Sequence, residues 1–126
     1  MSGTARIVWA LGCATGALAA CLADRPRPGP PLLTITLSKA QAHAPDTVTG
    51  TVRADDASGI DSVWLSLDGA PPAGDNGGFL TVYESSFRVI VVRGRPAGDA
   101  IPIRLKARDV DGFVSQRDTT VPIVVP

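Results

Sequence analysis

Beyond residue 21 this chain has no cysteine, and over its whole length it has one histidine, one tyrosine, three phenylalanines and two tryptophans. Both cysteines, Cys13 and Cys21, stand near the start, so the body of the chain has no pair from which to build a disulfide. His43 has no cysteine beside it, and there is no G-x-S-x-G elbow, H-E-x-x-H pair or phosphate-cradling glycine loop. A non-enzymatic protein with no cofactor is expected. Charge is lacking too, because 12 basic residues balance 12 acidic ones. No nucleic-acid partner is expected from such a balance. No window sustains a 3.6-residue apolar period, so helices are not expected in the body of the chain.

What is present begins with an apolar N-terminal stretch. Arg6 and the free amino terminus give a short positive region, Ile7 to Leu18 is uncharged, and Ala19 and Ala20 are small. These are the three parts of a secretory signal. The competing reading is a retained membrane helix. The uncharged stretch from Ile7 to Ala23 counts 17 residues (23 − 7 + 1), at the lower edge of the roughly 17 to 25 that span a bilayer. Gly3, Gly12 and Gly16, and the lack of a basic cluster beyond it, favour a cleaved signal over residues 1–20.

Leu18-Ala19-Ala20-Cys21 resembles the lipobox of bacterial lipoproteins. The resemblance implies cleavage between Ala20 and Cys21 and lipidation of Cys21, which would become the first residue of the mature protein. Ala10-Leu11-Gly12-Cys13 is a poorer match, with a leucine where a small residue is preferred. Cleavage after Ala17-Leu18-Ala19 would instead release a soluble product. In that family the sulfur carries a diacylglycerol and the new amino group usually a further acyl chain, and two or more chains anchor stably. The implied partner is a lipid bilayer and the implied location the cell envelope. Leu22 stands where an aspartate favours inner-membrane retention, which leans towards the outer membrane if the organism has one.

Cys21 and residues 22–31 (LADRPRPGPP) form a proline-rich tether with no apolar periodicity. Proline fixes φ and biases its predecessor towards extended structure. Ten such residues span roughly 30 Å as a polyproline II spacer. Arg25 and Arg27 could touch anionic head groups, at about 1 kcal/mol each, but read first as part of a solvated linker.

The 95 residues of 32–126 suffice for one domain with one core. Seven β-branched or apolar runs separated by turn residues predict strands. They are Leu32–Ser38, Thr47–Ala54, Ser62–Asp68, Phe79–Tyr83, Ser86–Val92, Ile101–Arg108 and Thr119–Val125. Phe79–Tyr83 reads as an edge strand and Ser86–Val92 as a central one. Ile101, Ile103, Leu105 and Ala107 should face inward, as should Val121, Ile123 and Val125. The Gly69–Gly78 loop (GAPPAGDNGG) should be mobile.

This is the arithmetic of a single all-β, seven-stranded immunoglobulin-like antiparallel sandwich. VRADDASGIDSVWLSLDG (Val52–Gly69) and IPIRLKARDVDGFVSQ (Ile101–Gln116) resemble a B–C and an F–G hairpin of bacterial Ig-like or fibronectin-III-like domains. The disulfide and tyrosine corner of antibody domains are lacking.

Three groups of residues are candidates for function. Asp55, Asp56, Asp109 and Asp111 would share one end of the sandwich, and calcium needs six to eight oxygen ligands. Each also precedes a glycine in a tight turn, where aspartate ordinarily bonds its own backbone. Trp64 falls with Ser62 and Ser66 on the face opposite Val63 and Leu65, where it could stack on a sugar alone or with Phe79 and Tyr83, or lie partly under the Gly69–Gly78 loop. Arg104, Lys106 and Arg108 form an outward basic stripe that could meet an anionic polysaccharide or lipid, or be paired with acids on a neighbouring strand. The expected function is a membrane-anchored lipoprotein with a non-catalytic binding or interaction domain. Its alternatives are a structural spacer or assembly subunit contacting envelope proteins, and a small carbohydrate- or calcium-binding module.

Overall fold

The computed structural model describes residues 29–126. The signal, Cys21 and the tether up to residue 28 lie outside the described residues. Seven strands follow one another: β1 Leu32–Leu37, β2 Asp46–Asp55, β3 Ile60–Leu67, β4 Ala73–Asn76, β5 Val82–Val91, β6 Ala100–Asp109 and β7 Val114–Pro122. They form two antiparallel sheets, ordered β1-β2-β5 and β4-β3-β6-β7. No helix occurs among the described residues.

Alternation on β2, β3 and β6 builds the core. Val48, Val52 and Ala54 from one sheet meet Ile60, Val63, Ile101, Ile103, Leu105 and Ala107 from the other, all buried. On β6 the alternation runs its full length, with Ile101, Ile103, Leu105 and Ala107 inward and the residues between them exposed. Gly50 sits among the inward residues of β2 for a steric reason. A Cβ there would lie 2.5 Å from Cζ of Phe87, its partner across β5, and 2.5 Å from the carbonyl oxygen of Thr36. The glycine lets the Phe87 ring lie across the strand.

The strand count agrees with the sequence expectation, but the strands are not the same seven. Phe79–Tyr83 and Ser86–Val92 are not two strands. Val82–Val91 is continuous, and Glu84-Ser85-Ser86 interrupts only the apolar pattern, since Arg53, Val52 and Thr51 pair with them in register. The resulting β5 is an edge strand, not a central one. The seventh strand is β4, inside the Gly69–Gly78 segment. Its residues Ala-Gly-Asp-Asn are all exposed and carry no apolar signal, and it exists through backbone pairing with Ser62–Leu65. The β3–β4 connection turns at Asp68 (φ 56) and Gly69 (φ 75), the two positive φ values that a type I′ turn demands.

The last strand begins five residues earlier than expected, at Val114, and Val125 lies beyond it, exposed. Its first half reads as polar because it lies at a sheet edge beside β1. Ser115 Oγ donates to the Pro31 carbonyl (2.6 Å) and an Arg117 guanidinium N–H to that of Leu33 (3.4 Å). These bonds cap carbonyls on the free edge of β1, where unpaired backbone would otherwise invite another chain. Pro122 is tolerated because β7 is itself an edge. After β1 the chain crosses to the second sheet, where Ala42 pairs in parallel with Ile123. The Ala42 N–H donates to the Pro122 carbonyl and the Val124 N–H to that of Ala42.

Candidate functional site

The outer face of the β4-β3-β6-β7 sheet brings together the four residues proposed for binding. Cross-strand register sets Trp64 opposite Lys106, Ser66 opposite Arg104 and Ser62 opposite Arg108. Lys106 Nζ lies 5.4 Å from the centre of the Trp64 ring and the Arg108 guanidinium 6.0 Å. At an exposed site each such cation–π contact contributes about 0.5–1 kcal/mol. Gly74 of β4 lies against the indole edge, where a Cβ would stand 3.2 Å from both Cδ1 and Nε1. Trp64 is accordingly half-buried at the rim of a shallow groove of about 150 Å³ lined by Trp64, Ser66, Pro72, Arg104 and Lys106. Pockets that enclose drug-sized ligands run to roughly 300–1,000 Å³. This groove can take only part of a ligand, such as one face of a ring.

The basic stripe is largely neutralised by acids on its own sheet. Arg104 Nε meets Asp118 Oδ1 at 2.9 Å, and Arg108 holds Asp61 Oδ2 at 2.6 and 3.1 Å. The Arg108 guanidinium, and after it the Ser62 hydroxyl, hold the Asp61 carboxyl below its ordinary range. Lys106 alone of the three has no ionic partner among the described residues. The face therefore offers one aromatic ring and one uncompensated cation, not a strip of three positive charges.

The proposed aromatic platform is divided. Phe79 lies at the end of the sandwich in the β4–β5 loop, and Tyr83 packs partly against the core while its hydroxyl donates to Asp75 Oδ2 at 2.6 Å. His43 is exposed beside Asp46.

The four aspartates do share one end, yet they do not converge. Asp55 turns to Arg53, which it meets through both carboxylate oxygens at 2.9 Å. Asp111 is exposed and lends only its backbone N–H, to Asp109. Asp109 is 1% exposed, and its Oδ1 accepts from the Asp111 and Phe113 N–H groups at 3.0 and 2.8 Å. Its Oδ2 is buried with no hydrogen-bond partner among the described residues, beside the Asp56 carboxyl. Burial first, and then Asp56, push the Asp109 carboxyl above its ordinary value. Asp56 is fixed from the other side by the Ser58 N–H and hydroxyl. Among the described residues no group of three or more His, Cys, Asp or Glu side chains is placed to hold a metal ion.

Asp46 behaves oppositely. The Lys39 ammonium (2.7 Å) and the Thr47 N–H bring its carboxyl down to about 2. A lowered carboxylate stabilises the fold above its unfolded value and loses that contribution as pH falls through its folded value. Thermal unfolding of Asp46→Asn should therefore match the parent near pH 2 and lie below it above pH 4. Equal melting temperatures at pH 6 would remove the Lys39–Asp46 pair from the stability of the fold.

Residues that sequence reasoning did not single out complete the face: Asp61 and Asp118 as counter-ions, and Pro72 and Gly74 as walls. Register was the missing signal, since neither acid could be matched to its arginine before β3, β6 and β7 were aligned. Compared with protein-family models and with curated proteins, the chain matches none.

Proposed function

We propose that this chain is a lipid-anchored envelope protein whose sandwich is a non-catalytic, immunoglobulin-like or fibronectin-III-like binding domain. In this reading Cys21 carries the lipid, residues 22–31 tether the domain to it, and the outer membrane is favoured if the organism has one. The lipobox resemblance of Leu18–Cys21 and the proline content of 22–31 support the anchor. The observation that carries the binding site is Trp64, half-buried at the rim of a groove with Lys106 over its ring. A half-exposed aromatic beside one free cation suits a polysaccharide bearing scattered negative charge. The apolar ring face stacks on the sugar, while the ammonium takes a carboxylate or sulfate.

Two measurements test this reading. Mass spectrometry of the mature N-terminus should find Cys21 acylated and first in the chain, and an unmodified product starting elsewhere would sink the anchor. Removal of residues 1–20 leaves Trp64 as the sole tryptophan, so its emission reports on the groove directly. Titration with an acidic polysaccharide should shift that emission saturably, and Lys106→Ala should weaken the apparent affinity several-fold. Emission that stays put with acidic and neutral polysaccharides alike would remove the groove as the binding site.

A further inference from the structure

Strand polarity gathers the starts of β1, β3, β5 and β7 and the ends of β2, β4 and β6 at one end of the sandwich. Three loops meet there. The Asp56 N–H donates to Thr81 O and the Ile60 N–H to Leu80 O, tying the β2–β3 and β4–β5 loops, while the Val110 N–H donates to Gly59 O and adds the β6–β7 turn. This end carries exposed apolar side chains from every one of its flanks: Leu32, Phe79, Leu80, Val82, Val110 and Phe113. Phe79 and Leu80 are 69% and 58% exposed. Large apolar side chains left exposed together at one end are the kind of surface that marks a contact with another apolar phase. The opposite end exposes only Ile90, Val92 and Val125 among large apolar residues.

Phe79 is held outward at a conformational cost. Its φ is +58°, a left-handed backbone that a bulky residue rarely adopts. Its neighbour Gly78 (φ +63°) could occupy that region freely, yet the second position is filled by an exposed aromatic ring. The Phe79 N–H donated to Ile60 O holds that backbone in place, but the exposed ring gains no packing from it, which points to a role for the ring the loop displays.

The chain also enters the domain at this end, with Pro31 buried and bonded to Ser115. Gly29 is eight residues from Cys21 (29 − 21), at most about 28 Å even if fully extended. The ten-residue strands are about 33 Å long, so the loop end is the one held next to the anchor. A tethered patch meets the surface at high effective concentration, and a weak contact is enough to populate the docked state. Charge selects the surface. Asp55 is paired with Arg53 and Asp61 with Arg108, whereas Asp111 is exposed with no ionic partner among the described residues. A residual negative charge fits a bilayer of low net charge and opposes a strongly anionic one.

We propose that the loop end of the sandwich docks on the lipid surface to which Cys21 is anchored, placing Phe79, Leu80, Val110 and Phe113 in the headgroup region. This rests on the anchor reading, and the test separates the two. The full-length lipidated protein, carrying Val110→Cys or, as a control, Val125→Cys labelled with an environment-sensitive fluorophore, is reconstituted in phosphatidylcholine vesicles containing a spin-labelled quenching lipid. Blue-shifted, quenched emission at position 110 but not at 125, weakened when phosphatidylglycerol is added, is the expected result. Phe79→Gly should reduce the quenching while leaving the melting temperature unchanged or higher, because it relieves the left-handed strain. A label at 110 that stays in water while the N-terminal mass shows Cys21 acylated would overturn docking and leave the anchor standing. An unacylated Cys21 would overturn the anchor alone, provided position 110 still enters added vesicles. Equal quenching at 110 and 125, or quenching indifferent to Phe79→Gly, overturns the assignment of this surface.

Discussion

Asp109→Ala is expected to destabilise the domain by about 2 kcal/mol or more, whereas Asp109→Asn leaves it at least as stable as the parent at neutral pH. Alanine strips the acceptor from two backbone N–H groups, Asp111 and Phe113, that close the β6–β7 turn. Each donor left unsatisfied in a buried setting costs about 1–3 kcal/mol. Asparagine keeps that acceptor and places an N–H where the orphaned Oδ2 now faces Asp56, supplying the bond that the carboxylate makes only when protonated. The two substitutions also differ in pH dependence. The folded Asp109 carboxyl lies above its unfolded value, so its favourable contribution is fully present below about pH 3.9 and is lost as pH rises through the folded value. Melting temperature followed from pH 4 to 8 should show Asp109→Asn gaining on the parent as pH rises. Parallel profiles would mean that burial does not raise the Asp109 carboxyl in the folded domain.

The second large effect belongs to the middle of β6. Leu105→Ala should cost about 2–5 kcal/mol, the range for truncating a fully buried leucine, because Leu105 is 0% exposed. The total stability of a domain is about 5–15 kcal/mol. Lys106→Ala, one residue along, should change stability by about 0.5 kcal/mol or less, as surface substitutions do, although it removes the free cation of the groove. Urea unfolding of the two variants would show the contrast, and similar losses for both would contradict the burial pattern of this strand.

That contrast between neighbours also explains what could be read in advance. β6 was legible because both its faces are uniform, core on one side and solvent on the other, along ten residues. The groove residues followed from the same alternation, which put Trp64, Arg104, Lys106 and Arg108 outward. β4 was illegible because an all-exposed edge strand needs only backbone pairing, and Ala-Gly-Asp-Asn advertises nothing. β5 was divided in two because Glu84-Ser85-Ser86 breaks the apolar pattern without breaking the ladder. Aspartate roles depended on distance in space. Sequence placed Asp56 and Asp109 at a common end, but could not show that Asp55 turns to Arg53 while Asp109 is buried against Asp56. The neutralising acids Asp61 and Asp118 were hidden likewise, one beside a register shift between Ile60 and Ser62, the other on a strand whose start was misplaced. The apolar tip left a faint mark, bulky residues flanked by turn glycines at Gly78-Phe79-Leu80 and Gly112-Phe113, in places where polar side chains are usual.

The crossing of the chain from β1 to its parallel bridge with Ile123 has a mechanical meaning. The described chain enters at the loop end and leaves at the other, so tension between Gly29 and Pro126 runs along the strands. Ladder bonds lie across that direction. The β1–β2 and β6–β7 ladders would therefore be loaded in shear, many bonds together instead of one after another. The Ala42–Ile123 bridge couples the first and last segments, so that neither peels away alone.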